Sequence, residues 1–170
     1  LVVQDFVRDW STLFTEDAYL GTILKPNMDV TLSLPGEYVY RVQTTDLGLG
    51  GPGYRDELPN GSVYAVAVGD SFTWGLGVEE RARWTEGLEA LSGAEVVNLG
   101  VPGHGSIQTR RVLERSGLPL HPRLVLWGFV PNDLEDAAVF SGRGEAGGAE
   151  PTDGLSRLLR MLRPYSRLAM

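Results

Sequence analysis

Three positions carry groups suited to acyl transfer: Ser71, Gly103 and Asn132. That chemistry needs a nucleophile, a base to take its proton, and hydrogen-bond donors for the oxyanion that forms. Ser71 supplies a hydroxyl. Gly103 can present its backbone N–H with no side chain in the way, and Asn132 can present a side-chain amide. The backbone N–H of Ser71 itself would be a third donor. Donors of this kind are typically worth ~3 kcal/mol each in the transition state. Taken singly, each residue has a plainer use. Ser71 could cap a helix, and Asn98 and Asn132 could satisfy loop backbone groups.

Each candidate follows an apolar run. Val63 to Val68 is polar nowhere and runs into Gly69-Asp70-Ser71. Such a run suits a strand buried on both faces. Glu95 to Leu99 reads as a second, short strand and leads into the glycine-rich loop Gly100 to Gly105. Arg123 to Val130 reads as a third and ends in Pro131-Asn132-Asp133. Between them, Glu79 to Ser92 has helical periodicity with Gly93 as its stop, and a helix with Ser106 as N-cap follows the glycine-rich loop. Strand, helix, strand, helix, strand is the pattern of an α/β fold with a parallel sheet and right-handed crossovers. In open sheets of this kind ligands sit outside the carboxyl ends of the strands, where all three candidates fall.

Gly69-Asp70-Ser71-Phe72-Thr73 resembles block I of the SGNH (GDSL) hydrolase superfamily. Asn98 to Gly103, N-L-G-V-P-G, resembles its block II. Pro131-Asn132-Asp133 resembles block III, with Val130 where the family pattern has Gly. The resemblance covers residues 63–133, with a looser match upstream. It implies that Ser71 is the nucleophile and that Gly103 and Asn132 furnish the oxyanion hole. Asp70 and Asp133 are read from their own chemistry as fixing the loops by accepting backbone hydrogen bonds. It also implies a three-layer αβα architecture with a flavodoxin-like parallel sheet of about five strands. Only three strands are legible here, so the sheet is expected to be incomplete in this chain. The family's D-x-x-H block, which carries the general base, has no counterpart. His104 lies inside the block II loop, His121 precedes the third strand, and neither follows an Asp by three. The expected function is a serine esterase or lipase-like acyl hydrolase whose His comes from outside this chain. A carbohydrate O-acetyltransferase-like enzyme and a non-catalytic binding domain with a degenerate site are the alternatives. The expected partner is a small-molecule or carbohydrate ester.

Residues 1–60 read as a leader to an α/β domain at 61–170. Val2, Val3, Phe6, Trp10, Leu13 and Phe14 suggest an amphipathic helix over 1–14. Val30 to Leu34 and Tyr38 to Val42 flank Pro35-Gly36-Glu37 and suggest a β-hairpin. A Gly/Pro loop over 48–53 leads to Arg55, read as a structural ion-pair partner. After Asp133, a short helix over Leu134 to Phe140, a mobile loop over 141–154 and a helix over Leu155 to Arg163 are expected. The last would carry Arg157, Arg160 and Arg163 on a solvated face. The apolar third strand needs cover from that helix, from a second copy of the chain, or from a further segment.

A net charge of −7 argues against nucleic acid as a partner, since phosphate binding needs a basic face. The chain has no Cys, which removes disulfides and thiolate chemistry. No His/Asp/Glu spacing suggests a metal, and no cofactor is implied. No apolar run approaches the ~20 residues of a membrane helix. The sequence starts at Leu1 without a visible signal peptide, and it leaves secreted, anchored and cytoplasmic locations open.

Overall fold

A computed structural model of the chain describes residues 12–34, 38–44 and 64–146. Its centre is a parallel sheet of three strands, β5 (Ala65–Gly69), β6 (Val96–Asn98) and β7 (Leu124–Gly128). The spatial order is β6-β5-β7. β5 is therefore central, and every residue in it is buried, as its uninterrupted apolar sequence requires. Ala65, Val66 and Ala67 pair with Val96, Val97 and Asn98 on one side. Ala65 to Gly69 pair with Leu124 to Gly128 on the other.

Helices cover both faces. Val66, Val68, Val97, Leu99 and Val101 form one core with Val112 of helix α3 (Ser106–Val112). On the opposite face, Asn98 reaches Thr85 of helix α2 (Trp84–Ser92). A single helical turn, α1 (Ser71–Trp74), follows β5 directly. Helix α4 (Asn132–Ala146) follows β7 and packs on the start of α3, where Gly105 lies against its backbone. The fold is α/β, with the parallel sheet between helical layers as expected.

Several elements differ from the sequence reading. The expected helix over 79–92 is split: a 3-10 turn (Glu80–Ala82) precedes α2, and Arg83 between them is extended. The residue preceding α3 is Gly105 rather than Ser106, and Gln108 Oε1 accepts the Gly105 N–H at 3.1 Å. Helix α4 begins at Asn132 and continues to Ala146, so 141–146 are helical rather than loop. A helix already nucleated over 132–140 can propagate through Gly142 and Gly144, because extension does not repeat the cost of nucleation. Residues 147–154 and the expected helix at 155–163 lie outside the described residues.

The leader contributes two hairpins. β3 (Asp29–Leu34) and β4 (Tyr38–Gln43) pair antiparallel, with Leu32 opposite Tyr40 and Val30 opposite Val42, as their alternation predicts. β1 (Phe14–Asp17) and β2 (Gly21–Leu24) form a second hairpin, for which the sequence carries no alternating pattern. Asp17 Oδ1 closes its turn by accepting the N–H groups of Tyr19 and Leu20, at 2.9 and 2.7 Å. Of the expected N-terminal helix, residues 1–11 lie outside the described residues. Its end is not helical, because Leu13 O accepts the Lys25 N–H and Phe14 opens β1. Leu13, Leu24, Leu32, Tyr40 and Val42 gather around Trp74, so both hairpins bear on the turn that follows β5. Arg55 lies outside the described residues.

Candidate functional site at the carboxyl ends of the strands

The turn after β5 is tightly specified. Asp70 is the N-cap of α1, its Oδ1 accepting the Phe72 N–H at 2.9 Å. Capping therefore falls to Asp70, and Ser71 is the first residue of the helix with its hydroxyl not used as a cap. Gly75 ends the turn in the left-handed region, φ 88°, and its N–H bonds the Ser71 carbonyl. The Ser71 side chain is nearly enclosed, 6% exposed. Thr73 fills the space between the ends of β5 and β7: a Cβ at Gly69 or at Gly128 would collide with its Oγ1.

The second loop is laid against the first. Leu99 N–H bonds the Ala67 carbonyl at 2.8 Å and Val101 N–H bonds that of Gly69 at 3.0 Å. Val101 to His104 then form a β-turn closed by the His104 N–H on the Val101 carbonyl, 3.2 Å. Pro102 and Gly103 occupy its centre. Gly103 has φ 82°, which a type II turn demands at that place and which glycine adopts without cost. Gly103 is exposed. Gly100 lies flat on α1, where a Cβ would come within 2.9 Å of the Thr73 carbonyl carbon. Asn98 joins the two loops: Nδ2 donates to the Thr73 carbonyl at 2.8 Å and to Thr85 Oγ1 at 3.1 Å, while Oδ1 accepts the Gly100 N–H at 2.9 Å.

The third loop is closed by Asp133, whose N–H bonds the Val130 carbonyl and whose Oδ2 accepts the Val130 N–H at 3.1 Å. Val130 keeps a negative φ, so nothing in its backbone demands the glycine of the family pattern. Asn132 Nδ2 lies 3.4 Å from Asp70 Oδ2 and 3.2 Å from Asp136 Oδ2. The loops of Ser71 and Asn132 thus meet through Asp70. Gly103 follows Val101, which is bonded to the last residue of β5. Asp136 was missed from sequence; its place four residues after Asn132 on a helix was the available signal.

The cluster is acidic. Burial raises the Asp70 carboxyl above its ordinary range, against the stabilising Phe72 N–H and Asn132 amide, and Asp136 adds to the rise. Burial pushes Asp133 up to about 6, with the Val130 N–H opposing and Asp70 and Asp136 contributing repulsion. Among the described residues no group of three or more His, Cys, Asp or Glu could hold a metal ion. No helix among them is long and apolar enough to cross a membrane.

Neither histidine serves these loops as a base. His104 is buried, with Nε2 2.6 Å from the Thr22 carbonyl, and burial lowers its pKa to about 4. The ring is neutral at pH 7, with its Nε2–H donated to that carbonyl. It ties the Gly100–Gly105 loop to the β1–β2 hairpin, as does Gln108 of α3 through the Leu20 carbonyl at 3.1 Å. His121 lies in the turn entering β7, at the end of the sheet away from Ser71. A scan against protein-family models and a search of curated proteins find no match to this chain.

Proposed function

We propose that this chain carries the nucleophile and oxyanion hole of an SGNH-type serine ester hydrolase. The observation that carries the reading is the contact of Asn132 with Asp70, across the ends of two adjacent parallel strands. It is supported by the strand order β6-β5-β7, in which β5 has its two neighbours on opposite sides and is the point where ligands bind in open α/β sheets.

In this reading Ser71 Oγ attacks the carbonyl carbon of an ester, and its proton passes to a base. The reading takes that base, a histidine, from outside these 170 residues. Negative charge gathers on the carbonyl oxygen, and in this reading the N–H groups of Ser71, Gly103 and Asn132 are its donors. The Ser71 N–H, at the first position of α1, has no acceptor within the helix. Asn132 exchanges its long bond to Asp70 for the oxyanion. Collapse of the intermediate breaks the ester C–O bond, and the departing alcohol takes the proton from the base. Water then releases the acid from Ser71 by the same steps. A sugar hydroxyl in place of water would make the same site an acyltransferase.

The test is release of acid from aryl and sugar acetates by the protein as its cells make it. Ser71→Ala should lower the rate by 10³-fold or more, about the scale of losing a nucleophile. Equal rates in both proteins would contradict the reading. Absence of turnover with retained binding of the ester would instead favour a non-catalytic binding domain.

A further inference from the structure

We infer that Asn98 is a positioning residue: through one side-chain amide it sets the loop bearing Gly103 against the turn bearing Ser71. The inference rests on the reading of Ser71 as nucleophile, but the contacts that carry it are independent of any activity. Asn98 is 1% exposed and at the end of β6, one strand away from Ser71.

Helix α1 is a single turn. Its Asp70 and Ser71 carbonyls accept from Trp74 and Gly75, which leaves the Thr73 carbonyl with no partner within the turn. Asn98 Nδ2 fills that need at 2.8 Å. The other end of the same amide accepts the Gly100 N–H at 2.9 Å, three residues before Gly103. Thr85 Oγ1, fully buried on α2, accepts the second amide proton at 3.1 Å and fixes the rotation of the group. Both N–H donors of the amide and its oxygen therefore meet named partners on different elements. Gly100 presses directly on the Thr73–Trp74 backbone, so the spacing between the loops is set by contact and its register by Asn98. Oxyanion donors act only when aimed at the position where charge develops, and a 1 Å error in such geometry costs ~10²-fold in rate. The substitution Asn98→Asp keeps an acceptor for Gly100 and loses the donor to Thr73. It separates the two halves of the role.

The test uses the protein as its cells make it and a fluorophosphonate that modifies serine nucleophiles. For Asn98→Asp at pH 8 the limiting rate of Ser71 modification should fall ~10²-fold, with the half-saturating probe concentration unchanged. The loss should narrow as pH falls, because the introduced carboxyl regains a donor when it is protonated. Val112→Ala, a cavity in the opposite face of the sheet, supplies a matched loss of stability and should leave the limiting rate unaltered. Asn98→Ser serves as second variant if Asn98→Asp does not fold. A wild-type limiting rate in Asn98→Asp, or rates that follow melting temperature across all variants, would overturn the inference. If the unaltered protein does not react, the hydrolase reading fails, and the positioning claim is decided by backbone amide chemical shifts. Changes in Asn98→Asp at both Ser71–Gly75 and Gly100–Gly103 uphold it, and changes confined to one loop overturn it.

Discussion

At the scale of single residues, the candidate site is a set of small polar groups held by backbone hydrogen bonds, with three aspartates close behind. Asp133 couples the stability of the fold to pH. Its carboxyl is fully buried and its pKa stands at about 6, against 3.8 for an ordinary Asp. The folded protein therefore holds this proton more tightly than the unfolded chain. The stabilisation is complete below about pH 4 and is lost as pH rises through about 6. That gap is worth ~3 kcal/mol at most. Asp133→Asn keeps an oxygen for the Val130 N–H and removes the charge. Denaturant melts of the two proteins between pH 4 and 8 should diverge with rising pH, the variant being the more stable above pH 6. Parallel curves would show that Asp133 is not the titrating group. Ser71, Gly103 and Asn132 were legible as candidates because a hydroxyl, a glycine and an amide each stand just after an apolar run. The Asp70–Asn132–Asp136 contact was not. It depends on how the first and third loops approach in space, and the spacing along the chain between residues 70 and 132 carries no sign of it.

At the scale of elements, the junction of α1 with β5 and β7 is the tightest point described. Thr73 Oγ1 occupies the space that a Cβ at Gly128 would need, while Thr73 Cβ would remain at an ordinary 3.5 Å. Gly128→Ala should therefore cost about 1–3 kcal/mol by overpacking, and Thr73→Ala in the same molecule should restore much of it. Gly69→Ala should not be rescued in this way, because its Cβ would also meet the Gly128 carbonyl at 2.7 Å. A double-mutant cycle by denaturant unfolding measures the coupling; additive costs for Gly128→Ala and Thr73→Ala would contradict the packing account. Strands β5 and β6 and the β3–β4 hairpin could be read from sequence, since burial on two faces or one leaves continuous or alternating apolar residues; β7 was legible from its apolar run although that run is not buried. The β1–β2 hairpin could not. Phe14-Thr15-Glu16-Asp17 carries no period, and the hairpin exists because Asp17 closes the turn and Leu13 and Leu24 share a core with Trp74. The extension of α4 to Ala146 was hidden by Gly142 and Gly144, which disfavour a helix by ~1 kcal/mol each relative to Ala without forbidding it.

At the scale of the whole molecule, the hairpins and the sheet are bound into one body around the candidate site. Trp74 closes α1 and belongs to the core of both hairpins, and His104 and Gln108 tie α3 and the loop before it to the β2 strand and its turn. The less finished side is β7. Among the described residues it pairs only with β5, and Leu124, Val125, Trp127 and Phe129 are 38–54% exposed. An apolar edge strand of this kind favours association. Trp127→Lys should reduce concentration-dependent self-association of the 170-residue chain in sedimentation velocity while changing its stability little. Unchanged association would show that β7 is not the adhesive surface. The central claim is that Ser71 is a nucleophile, and the most direct measurement is intact mass after exposure to a fluorophosphonate. In the protein as its cells make it, the account predicts one adduct, absent in Ser71→Ala, and far slower reaction of the 170-residue chain alone. An adduct that persists in Ser71→Ala, or none on the unaltered protein, would contradict it.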